Sequence, residues 1–348
     1  MGPVPPRVDA RVKAGLLELL DDAVEQGWSA VRAAAVLELD ERRARRWRGR
    51  LGHLDDGVPG RAVHGLLPDE VEAIVAVFER FGDIDRSYRK LAHRGSYEGL
   101  VWVSESTVYR ILAAQGLVLP APPPRSPTPA PTPIPEWAEW RPNQIWIYDS
   151  THFTRAQRVA FAVMDVVSRK WLNTVVTTEE SAVQVEVLFT GALDAEGLWD
   201  RIEARRAGSP LDGDDPEVPV LLAMSDNGPQ MRAGSTREFL ALCSIVARFG
   251  RPGTPTDQAW IETLFGHVKG EWPHLEKIRD PAQLVSELEV VRAEYNGRRL
   301  HAGIGYVTPD DEHAGRGNDI RQARRDGLAR SRVERLAYHR NHNNRNQP

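Results

Sequence analysis

A single cysteine, Cys243, stands in 348 residues, so no disulfide can form within the chain and a reducing cytosol is the expected compartment. In the run REFLALCSI that thiol reads as a small buried apolar side chain. Long apolar runs are missing too. No stretch approaches the roughly 20 residues of a membrane-crossing helix. The start, MGPVPPRVDARVK, carries neither the apolar segment of a secretory signal nor the Ser or Thr of a myristoylation signal. An overall positive charge is also absent: 45 Lys and Arg against 49 Asp and Glu leave a formal net charge of −4. Taken as a total, that charge argues against a polyanion partner, but its distribution argues the other way. Residues 41–50, ERRARRWRGR, set six arginines against one glutamate, and from Gly315 to Pro348 nine arginines face Asp319, Asp326 and Glu334. The acids gather elsewhere, notably in DGDDPE at 212–217. Local clusters, rather than the sum, decide where a polyanion docks. The remaining composition, 41% hydrophobic and 27% charged, is that of a soluble globular protein, and the length exceeds one ordinary core.

Two helical units are expected first, over 1–60 and 61–119. Val12, Leu16, Leu19, Leu20 and Ala23 recur at helical spacing until Gly27 stops the helix. Ser29 and Asp40 can each cap a short helix, the second holding the arginine cluster and Trp47. Two short helices joined by a tight turn, the second basic, form a helix-turn-helix pattern whose second helix enters the major groove, which makes Arg42, Arg43, Arg45 and Arg46 DNA-contact candidates. The second unit has helices opening at Pro68, with Val71, Ile74, Val75 and Phe78 inward, then about Asp85 to Arg94, then from the cap Ser104. In that last helix Ser106, Thr107 and Arg110 face outward, suited to phosphate or base contact. Between Pro120 and Pro135 nine of sixteen residues are proline. A stiff linker spanning roughly 50 Å, at about 3.1 Å per residue, is expected over 120–138.

From 139 to 312 strand and helix signals alternate. NQIWIYDSTHF (143–153), RVAFAVMDVVSR (158–169) and KWLNTVVTTEE (170–180) read as three antiparallel strands. A long helix over 181–206, a strand PVLLAM running into Asp226, a short strand IVARFG and a helix TDQAWIETLFGHVKGEW follow. The expected fold class is α/β: a mixed five-stranded sheet with helices on both faces, preceded by all-α helix-turn-helix units and followed by a basic tail, 313–348. Asp149 and Asp226 end apolar strands, and Glu262 lies on a helix after 35 intervening residues, 227 to 261. Three carboxylates so placed suit hard divalent cations, two of which about 3.5–4 Å apart stabilise both the attacking and leaving oxygens of phosphoryl transfer. Asp165 also ends an apolar run and is the main decoy for the first acid.

The segments NQIWIYDSTHF, LLAMSDNGPQM, RPGTPTDQAWIETLFGHVKGEW and YNGRRLHAGIGYVTPDDE, in this order and spacing, resemble the DDE transposases and retroviral integrases, most of all bacterial insertion-sequence transposases with an integrase-type core. The resemblance covers about Trp140 to Glu312. It implies a ribonuclease-H-like fold, two Mg²⁺ or Mn²⁺ ions held by Asp149, Asp226 and Glu262, and DNA strand cleavage followed by strand transfer. It also implies double-stranded DNA, both element ends and target, as partner, and at least a dimer on DNA. His152 stands where tyrosine is frequent, Met231 where an aromatic is usual, 208–218 looks inserted, and no zipper heptads occur.

Lys269, seven residues after Glu262, returns to nearly the same helix face roughly 10 Å along and is expected to hold a terminal phosphate. His267 reads as a surface residue and Asn227 as a turn-stabilising one. Arg298, Arg299 and His301, with the tail, are expected to contact phosphates without sequence preference. Two other functions use parts of the same pattern. A DNA-binding regulator with the core as a mere platform has no need of all three acids. A ribonuclease-H-like nuclease without joining has no need of the fused DNA-reading units or Lys269.

Overall fold

The computed structural model describes residues 4–5, 7–56, 64–119, 134–250 and 259–345. Most of the proline-rich segment and residues 251–258, including the expected helix start at Thr256, lie outside the described residues. The chain divides into two compact units, Met1–Gly65 and Leu66–Pro348.

The first unit holds α1 (Ala10–Glu25), α2 (Ala30–Val36) and α3 (Glu41–Arg48). Asp9, Ser29 and Asp40 each accept from a backbone N–H of the first turn, which explains where the helices begin. Gly27, at φ +91°, ends α1 in a conformation that side chains resist. Leu17, Leu20, Ala33, Ala34, Ala44 and Trp47 form its core. The ammonium of Lys13, buried beside them, donates to the Leu54 carbonyl at 2.7 Å and pairs with Asp56 at 2.7 Å.

In the second unit, β1 (Ile145–Phe153), β2 (Arg158–Asp165), β3 (Trp171–Thr177), β4 (Leu221–Ser225) and β5 (Ile245–Phe249) build one sheet in the order β3-β2-β1-β4-β5. β1 pairs antiparallel with β2 and β2 with β3, while β4 runs parallel to both β1 and β5. Two-residue alternation sends Ile145 and Ile147 to one face and Trp146 and Tyr148 to the other. α11 (Ala259–Glu271) and α12 (Pro281–Gly297) cover the first face through Ile261, Leu264, Val268, Leu288 and Val291. α7 (Ala182–Ala195) and α10 (Gly234–Leu242) cover the second, where Met231 of the short α9 (Pro229–Arg232) is also buried. The helix expected over 181–206 is two helices, because Gly197 at φ +63° turns the chain between α7 and α8 (Trp199–Arg206). The inserted-looking acidic loop is fastened to α8, with Asp214 accepting from Arg201 and Arg205.

The second helical bundle belongs to this same unit. α4 (Pro68–Phe81), α5 (Tyr88–Tyr97) and α6 (Glu105–Ala114) enclose Ile74, Val77, Phe81, Leu91, Val108 and Leu112, leaving Val71, Val75 and Phe78 half-buried. The middle helix starts at Tyr88 rather than Asp85: Ser87 caps it, and Asp85 turns inward to pair with Arg94 at 2.7 Å. Arg94 also donates to the Arg298 carbonyl at 2.6 Å, and the Tyr97 hydroxyl bonds Asp311 of α13 (Pro309–His313).

The C-terminal basic stretch is not a loose tail. Residues Gly317–Arg345 form one helix, α14. Arg324 donates to the carbonyls of Gly305 and Tyr306 and to Ser96, and Arg335 pairs with Glu70 at 2.7 Å and reaches the Trp102 carbonyl.

His93 of α5 sits in this contact, stacked on Tyr306 at 4.1 Å between ring centroids. Burial, then the charge of Arg324, hold its pKa down from 6.5 to about 4, with Glu105 opposing and Arg89 assisting. An unfolded histidine binds its proton below about 6.5 and this one only below about 4, so stability falls as pH drops through that window. Allowing for its partial exposure, the expected loss is about 1 kcal/mol. His93→Gln should flatten that part of the curve of unfolding temperature against pH; equal slopes in both proteins would refute the assignment.

Candidate active site

Parity and register bring the acids together. Ile147 pairs with Met224 across the parallel β1–β4 ladder; two residues further on, Asp149 lies inside β1, opposite Ala162 of β2, rather than at the strand end expected for it, and Asp226 lies just past the end of β4, on a neighbouring strand about 4.8 Å away. Ile145, Ile147, Leu222 and Met224 all face the core under α11, and Asp149 and Asp226 continue those two rows. α11 carries Glu262 in its first turn, where it is exposed beside the buried Ile261 and Leu264.

Asp149 senses the other carboxylates. Burial first, then the charges of Asp226, Glu262 and Glu180, push Asp149 up from 3.8 to about 6, against a 2.8 Å bond from the Ser150 amide that favours its charged form. Asp226 is held by the Gly228 amide at 2.9 Å. A Cβ at Gly228 would come within 3.0 Å of the same carboxylate oxygen, which is why the turn is Asp-Asn-Gly. Asn227 ties that turn to β5 by donating to the Gly250 carbonyl at 2.6 Å.

Glu180 is a fourth acid that the strand-end reading passed over. It accepts from Ser150 at 2.6 Å and lies 3.6 Å from His152. Its signal was present in the sequence, because it follows the apolar run of β3 as Asp149 follows that of β1. Asp165, by contrast, is fully buried and accepts from the Ser168 amide and hydroxyl and the Asn143 amide, so it holds the β2–β3 turn together.

The basic candidates separate into two groups. Lys269 reaches back to the end of β1, donating to the His152 carbonyl at 2.9 Å while pairing with Glu276 at 2.9 Å. Ser106 and Arg110 are exposed on α6, with Thr107 half-buried and accepting from Arg110 at 3.3 Å. On α3 of the first unit, Arg42, Arg45 and Arg46 are exposed, Arg45 pairing with Glu41 at 2.8 Å, and Arg298 is exposed beside Glu294. The second group is turned inward. Arg43 donates to the Val4 carbonyl and lies over the Trp47 ring. Arg299 and His301, expected to contact phosphates, are only 5% and 7% exposed. Arg299 grips Glu271 at 2.7 and 2.8 Å, and burial together with the Arg299 charge keeps His301 neutral. In α14, Arg325, Arg332 and Arg340 remain exposed.

Oxygen donors alone at the end of a sheet suit a hard divalent cation. Burial first and then neighbouring acid charge push Asp149 up, and Asp149, Asp226 and Glu262 fit such an ion by the chemistry of their oxygens. Among the described residues no group of three His, Cys, Asp or Glu side chains is placed to hold a metal ion. No described helix is long and apolar enough to cross a membrane.

A family model described as an integrase core domain matches residues 244–309, the stretch holding β5, Glu262 and the segment after α12. The transposase for insertion sequence element IS904 of Lactococcus lactis subsp. lactis (strain IL1403) is 24% identical over 173 residues, covering 49% of this chain and 61% of that protein. The match thus spans under two thirds of that relative. Solved structures also align. A simian T-cell lymphotropic virus intasome in complex with a PP2A regulatory subunit has 16% identity and a TM-score of 0.39, over 61% of this chain and 67% of that one. The catalytic core domain of BIV integrase has 18% identity and a TM-score of 0.35, over 51% and 97%. The HTLV-2 integrase catalytic core domain in complex with magnesium has 18% and 0.35, over 50% and 97%. The integrase-core match runs through Glu262, and over these segments the chain is similar to insertion-sequence transposases and integrases.

Proposed function

We propose that the chain is an insertion-sequence transposase: it binds the terminal inverted repeats of a mobile element through its helical units, then cleaves DNA strands and joins them to a target. The observation that carries this reading is the convergence of Asp226 and Glu262 on Asp149 over the central strands β1 and β4, where their charges act on its carboxyl. Asp149, Asp226 and Glu262 hold divalent cations, Mg²⁺ or Mn²⁺, which when bound activate a water or 3′-hydroxyl and offset charge on the leaving oxygen. Asp149, on the strand beside the one that leads into Asp226, would offer its oxygens to the same ions. The 2.9 Å bond from Gly228 fixes one Asp226 oxygen and leaves the other to ligate. Lys269, anchored at the end of β1, offers an ammonium to a terminal phosphate once DNA competes with Glu276 for it. The exposed arginines of α3 and the outward face of α6 supply the DNA-reading surfaces, and two ends held together call for at least a dimer.

The deciding experiment incubates the full chain with duplexes ending in the element's terminal repeats and a target duplex, with Mg²⁺ or Mn²⁺. Cut ends joined to target support the proposal. Cutting of branched DNA or hybrids without joining replaces it with the nuclease, and binding without any cutting replaces it with the regulator.

The metal reading has a second readout that needs no activity. At pH 7.5, Mn²⁺ at a hundred times its dissociation constant should stabilise the wild-type chain by about 2.7 kcal/mol. Asp149→Asn should unfold at a higher temperature than wild type without metal, because a charge leaves the crowd, and should gain little from Mn²⁺. An equal gain in both proteins would remove Asp149 from the ligand set.

A further inference from the structure

A cavity of about 330 Å³ lies beside α11 and is not part of the carboxylate site. Lys90 of α5, Arg169 of the β2–β3 turn, Trp260, Thr263 and His267 along α11, and Arg299 after α12 contribute to its wall. Three cationic side chains therefore meet there. Glu271 serves two of them, Arg299 at 2.7 Å and Lys90 at 4.0 Å, as well as His267 at 3.3 Å. Arg169 is left over. The carboxylate closest to it in sequence, Asp165, is occupied by Ser168 and Asn143. The guanidinium lies over the Trp260 ring at 5.3 Å, and its Nη1 is buried without a hydrogen-bond partner among the described residues. A buried charged donor left unsatisfied is costly, and such a group calls for an acceptor. With three cationic side chains served by one carboxylate, an anion with several acceptor oxygens that fits a space of this size would supply it. Phosphate meets both conditions, and the arginine fork matches its geometry.

We propose that this cavity binds a phosphate group, with Arg169 and Lys90 as its ligands and Glu271 as the counter-charge that limits its affinity. The group comes either from a DNA backbone or from free phosphate. Trp260 and Thr263 flank Glu262 in the first turn of α11, so an occupant presses on the turn that carries the acid. The site stands whether or not the chain joins DNA strands, since free phosphate is enough to detect it.

The test uses the full chain at pH 7.5 and compares sodium phosphate with sodium chloride at matched ionic strength, by thermal unfolding and titration calorimetry. With 10 mM phosphate the wild-type unfolding temperature should rise by about 3 °C. Arg169→Gln should lose that rise while unfolding near the wild-type temperature in chloride. Lys90→Met, which keeps the buried stem and removes the charge, should weaken phosphate at least about fivefold and carries the test alone if Arg169→Gln does not fold. Glu271→Gln should bind phosphate more tightly, a gain that a purely structural cluster does not give. Equal wild-type curves in phosphate and chloride, or undiminished phosphate binding in Lys90→Met and Arg169→Gln, overturn the proposal. Saturating short duplex DNA distinguishes the sources: loss of the phosphate response assigns the cavity to a backbone phosphate, and its survival assigns it to free phosphate.

Discussion

Glu262→Gln is expected to slow cutting and joining of terminal-repeat DNA at least about a thousandfold, equivalent to about 4 kcal/mol of transition-state stabilisation, while leaving affinity for the same DNA within about twofold. The substitution is chosen for what it keeps. Glu262 is exposed in the first turn of α11, and the helix is anchored by Ile261, Leu264 and Val268, so glutamine preserves both the volume and the packing. It removes a negative charge and with it a ligand for a divalent cation. Two quantities should move together: the loss of chemistry, and a fall in the Asp149 pKa, since Glu262 is one of the charges holding it near 6. Glu180→Gln should move the second and affect the first far less, because Glu180 acts through Asp149 and the Ser150 bond. A Glu262→Gln protein that cuts at the wild-type rate would remove Glu262 from the site. One that neither cuts nor binds DNA would point to a folding defect, which circular dichroism would reveal.

The largest stability effect is expected from Arg94→Met. Arg94 is 1% exposed and Asp85 is fully buried, so each charge depends on the other. The guanidinium also reaches Glu98 at 3.4 Å and the Arg298 carbonyl at 2.6 Å, and lies over the rings of Phe81 and Tyr97. One oxygen of Asp85 already lacks a hydrogen-bond partner among the described residues. Methionine fills much of the space but strands the Asp85 carboxylate, which should cost about 3–5 kcal/mol in urea unfolding. Adding Asp85→Asn should restore a large part, because an amide tolerates burial where an unpaired carboxylate does not. The bond to Arg298 also joins the second helical bundle to the segment after α12, so Arg94→Met should speed proteolysis between residues 119 and 134. If the single and double variants unfold alike, the pair is not what holds Asp85.

How far these features could be read without coordinates depended on whether a residue's role was local. Asp226 was visible because the apolar run before it does end a strand, whereas the run before Asp149 stops without ending β1, which continues to Phe153; parity along β1 and β4 still puts both acids on the α11 side. The caps Ser29 and Asp40 were visible for the same local reason. Glu180 follows an apolar run too, but only the pairing of β3 with β2 brings it toward β1. The burial of Arg299 and His301 was not legible because an arginine's burial depends on its partner, and Glu271 lies 28 positions away. α14 looked like a tail because the stripe it buries holds Gly327, Ser331 and half-buried arginines rather than leucines. Trp102 packs so tightly against Gly327 that a Cβ there would lie 2.1 Å from the indole nitrogen.

The clasp of Arg335 on Glu70 joins residues 265 positions apart. Contacts of such sequence separation form late, since the intervening chain must first be confined. During synthesis the bundle of α4 to α6 is therefore made long before the helix that seals it, and until residue 335 has emerged its Glu70 and Trp102 surface stays open. A ribosome stalled after α12 should display that bundle with its strap missing, a form that conformation-specific probes raised against the full chain would not bind.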